Sequence, residues 1–428
     1  MRRLAPAATA QCVPALFPAF VVVAAIACGS TVERGTATVD YRVSDSTGVQ
    51  IVENVAPAWA SSGGWQLAPH PEVSIGFDEA AASGPTDVVG AVRLASGHIV
   101  VASAEAVQLE EYDAQGRAIR TIGRRGKGPG EFGAISLLWR TAGDSLLVFE
   151  GGMTRQFVLF DSGGRFARAW GAFSADSGMH WLMPIAPLPD GSIAMRAMNV
   201  ITPSPTVVVE RPLSTLGVFD GQWRLQRRLG RFADTKRFRG PGRMLGELFF
   251  SPETRFAFGD TAWYAGDSER AEVRAYSTRD ALVRIVRWPA KQVRVRPNQI
   301  AMEQERRIEE ERRIFSNVPR LQRLVIDGGL RPLFQQMPYP ERWPEFGELV
   351  VDGDANLWAL DYPGSGADTT RGRSADVFDP AGRWMGAVRF PPRFRPLDIG
   401  RDYVLGVRAD ELDVPHVELY RLTKPDSP

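Results

Sequence analysis

Only two cysteines occur among 428 residues, Cys12 and Cys28. Both lie at the very start, so no disulfide can staple the body of the chain and no thiol can serve there as nucleophile or metal ligand. The four histidines, His70, His98, His180 and His416, are far apart, which removes any paired-histidine metal motif. No H-E-x-x-H, G-x-S-x-G or phosphate-loop sequence is present. Lysine is scarce too: Lys127, Lys236, Lys291 and Lys424 are the only ones among 51 basic residues. A chain-wide preference for arginine accounts for this more simply than phosphate recognition does. Acids number 50 against 51 bases, so no net field attracts nucleic acid or an acidic membrane. The apolar stretch over residues 13–27, broken by Pro14 and Pro18, falls short of the roughly twenty residues that a membrane helix needs.

That stretch suits a signal-peptide core instead. Arg2 and Arg3 precede it, and Ala25, Ile26 and Ala27 lead into Cys28 and Gly29. Small residues just before a cysteine are what lipid attachment requires, and the thiol of Cys28 is the expected acylation site. The alternative is ordinary cleavage that leaves an incidental cysteine. Gly29 is not the aspartate associated with inner-membrane retention, which favours the outer membrane, facing the periplasm or the exterior. The expected organisation is a signal peptide over 1–27 and a flexible tether over 28–64, with residues 49–53 as a stray strand. A folded body over 65–424 follows.

Within the body one small unit recurs six times. Its first landmark is a tight turn: Ser96-Gly97, Gly143-Asp144, Asp190-Gly191, Gly259-Asp260, Asp352-Gly353 and Gly400-Arg401. Its second is an aromatic residue and a turn former: Tyr112-Asp113, Phe160-Asp161, Phe219-Asp220, Tyr276-Ser277, Phe378-Asp379 and Tyr420-Arg421. The two sets alternate without a miss, and alternating apolar residues flank them. Gly 42 and Pro 31 supply the many turns such a chain needs. Each unit reads as four short strands, which cannot bury their faces alone and must pack on further copies. The sixth copy lacks a fourth strand, while residues 72–76, ahead of the first, resemble one. That mismatch predicts an all-β, six-bladed β-propeller closed by an N-terminal strand, leaving no sheet edge open.

Residues 296–345, between copies four and five, lose the strand pattern. Residues 297–316 read as a helix with Pro297 near its start and Glu303 placed to pair with Arg307. A second helix is expected over 320–327. This insertion either lies across one mouth of the ring as a lid or pads its side.

Arg124, Arg125, Gly126, Lys127, Gly128, Pro129, Gly130, Glu131 and Phe132 resemble the glycine-rich connection of NHL-type repeats. With the aromatic-aspartate strand ends and the run from Asp352 to Trp358, the body resembles the bacterial six-bladed β-propeller lipoproteins of the NHL/TolB-like group. The departures are the helical insertion and the fourth copy, which lacks the Gly-Arg turn. The resemblance implies a fold more than an activity, since related propellers are enzymes, ligand binders and interaction platforms.

Two functions therefore stand open. One is a membrane-anchored, extracytoplasmic binding module for a protein, peptide, glycan or small ligand, without a cofactor. The other is a calcium-dependent lactonase or esterase-like hydrolase, or a lyase, with its site in the central channel. Gly128, Gly130 and Gly133 match G-x-G-x-x-G, but a strand rather than a helix follows them, so no dinucleotide is expected there. Arg124, Arg125, Lys127 and Glu131 form the candidate binding rim, to be weighed against a plain connector with solvated charges. Asp352, Asp354 and Asn356 echo the start of a calcium loop but lack its later glutamate, and Asp-Gly is itself a hairpin signal. His180 and the aromatic residues Trp170, Trp181 and Trp343 complete the rim candidates.

Overall fold

The computed structural model describes residues 40–61, 63–76, 84–151, 155–171, 182–198, 204–240, 245–315, 318–363 and 372–424. Six antiparallel sheets follow one another along the chain. The first holds Val88–Arg93, Ile99–Ser103, Gln108–Tyr112 and Ala118–Ile122. The second holds Leu137–Arg140, Leu146–Glu150, Gln156–Phe160 and Phe166–Gly171. Leu182–Pro187, Ile193–Ala197, Leu213–Phe219 and Leu225–Ala233 make the third. The fourth comprises Thr254–Phe258, Ala262–Asp267, Glu272–Ser277 and Leu282–Arg287. Glu348–Val351, Leu357–Leu360, Ser374–Phe378 and Trp384–Arg389 form the fifth. Only Phe394–Ile399, Tyr403–Ala409 and Pro415–Thr423 come from the sixth copy. Its outer position is taken by Val73–Ile75, with Val73 opposite Leu419 and Ile75 opposite Val417. Gln66 and Leu67 pair with Thr423 and Leu422 farther along the same strand.

In four of the sheets a turn aspartate explains where the third strand stops and the fourth begins. Asp113 Oδ1 accepts the amides of Gln115 and Arg117, both at 2.9 Å. Asp161, Asp220 and Asp379 accept the equivalent amides of Arg165, Arg224 and Arg383 at 2.8–3.0 Å. These amide bonds, with the Arg117 side chain, hold the Asp113 carboxyl below the usual range. The fourth turn residue needs a positive φ, which Gly116, Gly164 and Gly382 adopt at +81°, +69° and +86°. Trp223 and Asp280 fill that position in the third and fourth copies at +64° and +65°. Asp280 is held there by the indole N–H of Trp263, 3.0 Å away.

Neighbouring sheets share their cores. Leu109 and Val148 meet between the first and second, and Phe157 stacks on Trp223 at 5.1 Å between the second and third. Leu216 meets Trp263 between the third and fourth, and Trp288 meets Phe378 between the fourth and fifth. Fully buried Trp358 reaches Phe390 and the sixth-sheet residues Phe394 and Tyr420. Leu405 and Leu419 of the sixth sheet join Val88 and Val101 of the first, with Val73 and Ile75 in the same cluster.

The expectation of a flexible tether over 28–64 differs from what residues 40–61 do. Tyr41–Ser46 and Val49–Asn54 form a hairpin. Its second strand runs parallel to Leu282–Arg287 and widens the fourth sheet to six strands. Asn54, 6 % exposed, fixes it by donating to the carbonyls of Arg287 and Gly382 and accepting the Trp384 amide. The hairpin covers what would be an open edge.

Between the fourth and fifth sheets lie helices α1 (Pro297–Ile314), α2 (Pro319–Val325) and α3 (Arg331–Gln336). Two excursions from the third sheet add a small sheet of Val208–Glu210, Arg237–Arg239 and Leu245–Glu247. Helices and small sheet share a core of Phe238, Phe249, Phe250, Ile308, Leu333, Phe334 and Trp343. In a four-stranded antiparallel unit, connections after the second and fourth strands leave from the same face. All these excursions are of those two kinds, so they gather on the face where each sheet's first strand begins.

Candidate functional site

The helices and the small sheet border a half-open cavity of about 490 Å³, within the range that small-molecule sites occupy. Glu303 and Arg306 of α1 line it together with Glu247, Phe249, Phe250, Glu253 and Tyr362. Pro297 opens α1, and Gln299 Oε1 accepts the Arg296 amide at 2.8 Å, which starts the helix at a defined point. One and a half turns on, Glu303 is 7 % exposed and grips Arg306 through bonds of 2.6 and 2.9 Å. Arg307 lies 3.7 Å from the same carboxylate.

The opposite wall is a net of ion pairs. Glu253, just before the fourth sheet, accepts Arg196 at 2.9 Å and Arg255 at 2.6 Å. Arg196 also donates to Asp234, which is completely buried and bonded to Arg237 at 3.2 Å. Such pairs are held because removing one partner strands a buried charge. Glu247 differs from its neighbours: its carboxyl has no hydrogen-bond or ion-pair partner among the described residues. Glu247 is exposed at the open side of the cavity, yet the protein packed around it, with Glu253 and Asp234 beside it, pushes its proton affinity up. Arg237 and Arg307 oppose that shift without cancelling it. Burial likewise raises the Tyr362 hydroxyl.

A second cleft of about 680 Å³ runs between the fourth sheet and residues 340–345. Much of its charge is already paired, Arg287 with Glu272 at 2.9 Å and Lys236 with Glu269 at 3.2 Å.

The rim residues sit elsewhere. Glu131 closes its own loop, accepting Arg124 at 2.8 Å and the amides of Lys127 and Gly128 at 3.0 and 2.9 Å. Those bonds, that to Gly128 foremost, lower its carboxyl's proton affinity. Arg125 donates to the Glu105 carbonyl at 2.8 Å. Phe132, fully buried against Phe160, pins the loop between the first and second sheets. Arg124, Arg125 and Lys127 remain exposed there, away from the cavity.

Asp352 is 5 % exposed, and protein donors occupy both its oxygens. Oδ1 accepts the amides of Asp354 and Asn356 at 2.9 Å, and Oδ2 accepts the Trp358 indole at 3.0 Å. Asn356 Nδ2 bonds to both oxygens, and Lys424 bridges Asp352 and Asp354 at 3.4 and 2.7 Å. A cation at this loop would have to displace that ammonium. Among the described residues no three His, Cys, Asp or Glu side chains are grouped as metal ligands. Trp170 packs on Phe157 under Arg168, and Trp343 packs on Phe250 beneath the helices. Cys28, His180 and Trp181 lie outside the described residues.

Sequence reasoning did not find the cavity. On α1 the sequence showed only the spacing of Glu303 and Arg307, and the structure places Arg307 3.7 Å from Glu303 while Arg306 makes the closer bonds.

No family model matches the chain, and no curated protein matches it. Solved structures do. A member of the DUF4221 family from Bacteroides vulgatus superposes with a TM-score of 0.50 at 11% identity, over 85% of this chain and 99% of its own. A protein assigned as exported from Bacteroides fragilis gives 0.46 at 10% identity, over 88% and 100%. A gluconolactonase from Xanthomonas campestris gives 0.39 at 13% identity, over 85% and 98%. Among the described residues no helix is long and apolar enough to cross a membrane. The likeness to the Bacteroides vulgatus protein at this identity is one of fold alone: the chain is a β-propeller.

Proposed function

We propose that this propeller is an exported, lipid-anchored binding module. Its six sheets are six blades, residues 73–75 complete the last, and the helical insertion is a cap over one mouth. The ligand is a small polar molecule, of the size of a disaccharide or a dipeptide, held in the cavity beneath α1. The observation that carries this reading is the half-open cavity itself, where the aromatic residues Phe249, Phe250 and Tyr362 stand beside the paired charges Glu303–Arg306 and Glu253–Arg196. Aromatic faces beside oriented charged groups are what a pocket for a small polar molecule presents.

The sign of the Glu247 shift gives a test. A carboxyl whose folded value lies above its unfolded one, about 4.3, favours the native state below that unfolded value. The advantage disappears as pH rises through the folded value. Glu247→Gln should therefore raise the melting temperature by about 1–2 °C near neutral pH and leave it unchanged near pH 4. A thermal-shift screen of sugars, amino acids and dipeptides should find a stabilising compound that the variant no longer responds to. A compound that stabilises wild type and variant equally would place binding elsewhere and end this reading.

The lipid anchor rests on Cys28 and the small residues before it. Cys28→Ser should move the protein from the membrane fraction to the soluble fraction of lysed cells. Unchanged membrane retention would exclude acylation as the anchor.

A further inference from the structure

The near-neutral balance of the whole chain hides a local imbalance. Residues 312–326 contain Arg312, Arg313, Arg320 and Arg323 and no acidic residue. The preceding part of α1 is different, with Glu305 and Glu309 both 3.0 Å from Arg312. Beyond the run, Asp327 pairs with Arg331 at 3.1 Å. Within it, Arg313, Arg320 and Arg323 are exposed and have no carboxylate partner among the described residues.

The same run displays large apolar side chains to solvent. Ile314 is 64% exposed, Val318 49%, Leu321 39% and Leu324 62%. No described residue from 309 to 325 is buried, so the α1–α2 corner stands clear of the core that Ile308 and Ile326 enter on either side. Isolated exposed apolar residues are ordinary, but four on one corner, interleaved with unpaired arginines, are not. The corner offers no matching acid to a second copy of itself. A surface that is anionic outside and apolar just beneath satisfies both kinds of side chain at once.

We propose that the corner formed by the end of α1 and by α2 docks on an anionic phospholipid bilayer, with Leu321 and Leu324 entering the headgroup boundary and Arg313, Arg320 and Arg323 contacting phosphates. The docking is independent of the ligand cavity and of the acyl anchor.

The test uses the purified Cys28→Ser chain, so that no acyl chain contributes, in flotation with vesicles of phosphatidylcholine alone or with about one third phosphatidylglycerol. Binding should appear with the anionic vesicles only and weaken as salt is raised. Replacing Arg313, Arg320 and Arg323 by Gln should cut partitioning by about a hundredfold, at roughly fivefold per arginine. Leu324→Asp should abolish it with an unchanged melting temperature, because that side chain is exposed. Leu324→Trp should show a blue-shifted emission on anionic vesicles. Binding that is equal on both vesicle types, or absent from both, would overturn the proposal. So would a concentration-dependent dimer that Leu324→Asp dissociates, since a second copy would then cover the corner.

Discussion

A chain from which residues 40–76 have been removed should fail to fold cooperatively, although every residue of the six repeat units is retained. The loss is local in sequence and general in effect. Val73 and Ile75 are 6% and 4% exposed and sit in the cluster that joins the sixth sheet to the first. Without them the strand Pro415–Thr423 presents an unpaired edge, and Val417 and Leu419 face water. Even trimming Ile75 to Ala should cost about 2–5 kcal/mol. Set against a total of about 5–15 kcal/mol for a domain, that is a large fraction. Circular dichroism melts of the truncated and the Ile75→Ala proteins measure it. A sharp transition at the wild-type midpoint in the truncated chain would show that the N-terminal segment is dispensable.

The second large effect belongs to Asp352. Its carboxylate gathers two backbone amides, the Asn356 side chain, the Trp358 indole and the Lys424 ammonium. Asp352→Ala strands these donors in the interior and should cost about 3–5 kcal/mol. Asp354 is 42% exposed in its side chain, and its bond to Lys424 is a surface pair. Asp354→Ala should therefore cost only about 0.5–1 kcal/mol. Denaturant unfolding of the two variants gives the contrast. A calcium-binding loop would behave otherwise, because both carboxylates would be ligands and added calcium would stabilise the wild type more than either variant. Equal effects of the two substitutions, or a calcium-dependent midpoint, would favour a bound cation over the internal pairing of Asp352 with Lys424.

The repeat was legible because its turns leave chemical marks. Aspartates such as Asp113 and Asp379 bind their own turn amides, and that local geometry needs no knowledge of distant residues. The spare strand over 72–76 was legible for the same reason, since it carries the pattern of an outer strand. Of the hairpin Tyr41–Asn54, the second strand was legible over 49–53, whereas the first was not, because it is exposed along almost its whole length and leaves no apolar alternation to read. The small sheet beside the helices joins segments some thirty residues apart by pairing alone. The cavity was invisible for a deeper reason. Arg196, Asp234, Glu253 and Glu303 come from four separate stretches, and only the fold brings their charges together. Asp352 shows the converse: a local echo of a cation loop whose space is taken by Lys424, seventy-two residues later.

The architecture depends above all on head and tail of the folded body lying side by side in one sheet. Gln66 and Thr423 are opposed in register and both exposed. Replacing both by cysteine in the Cys28→Ser background tests this directly, because opposed strand residues come within disulfide reach. Rapid formation of a 66–423 disulfide in air is expected, with a higher melting temperature in the oxidised protein. A chain whose thiols stay free in the native state, or that links position 66 to a cysteine at 421 just as readily, would contradict it.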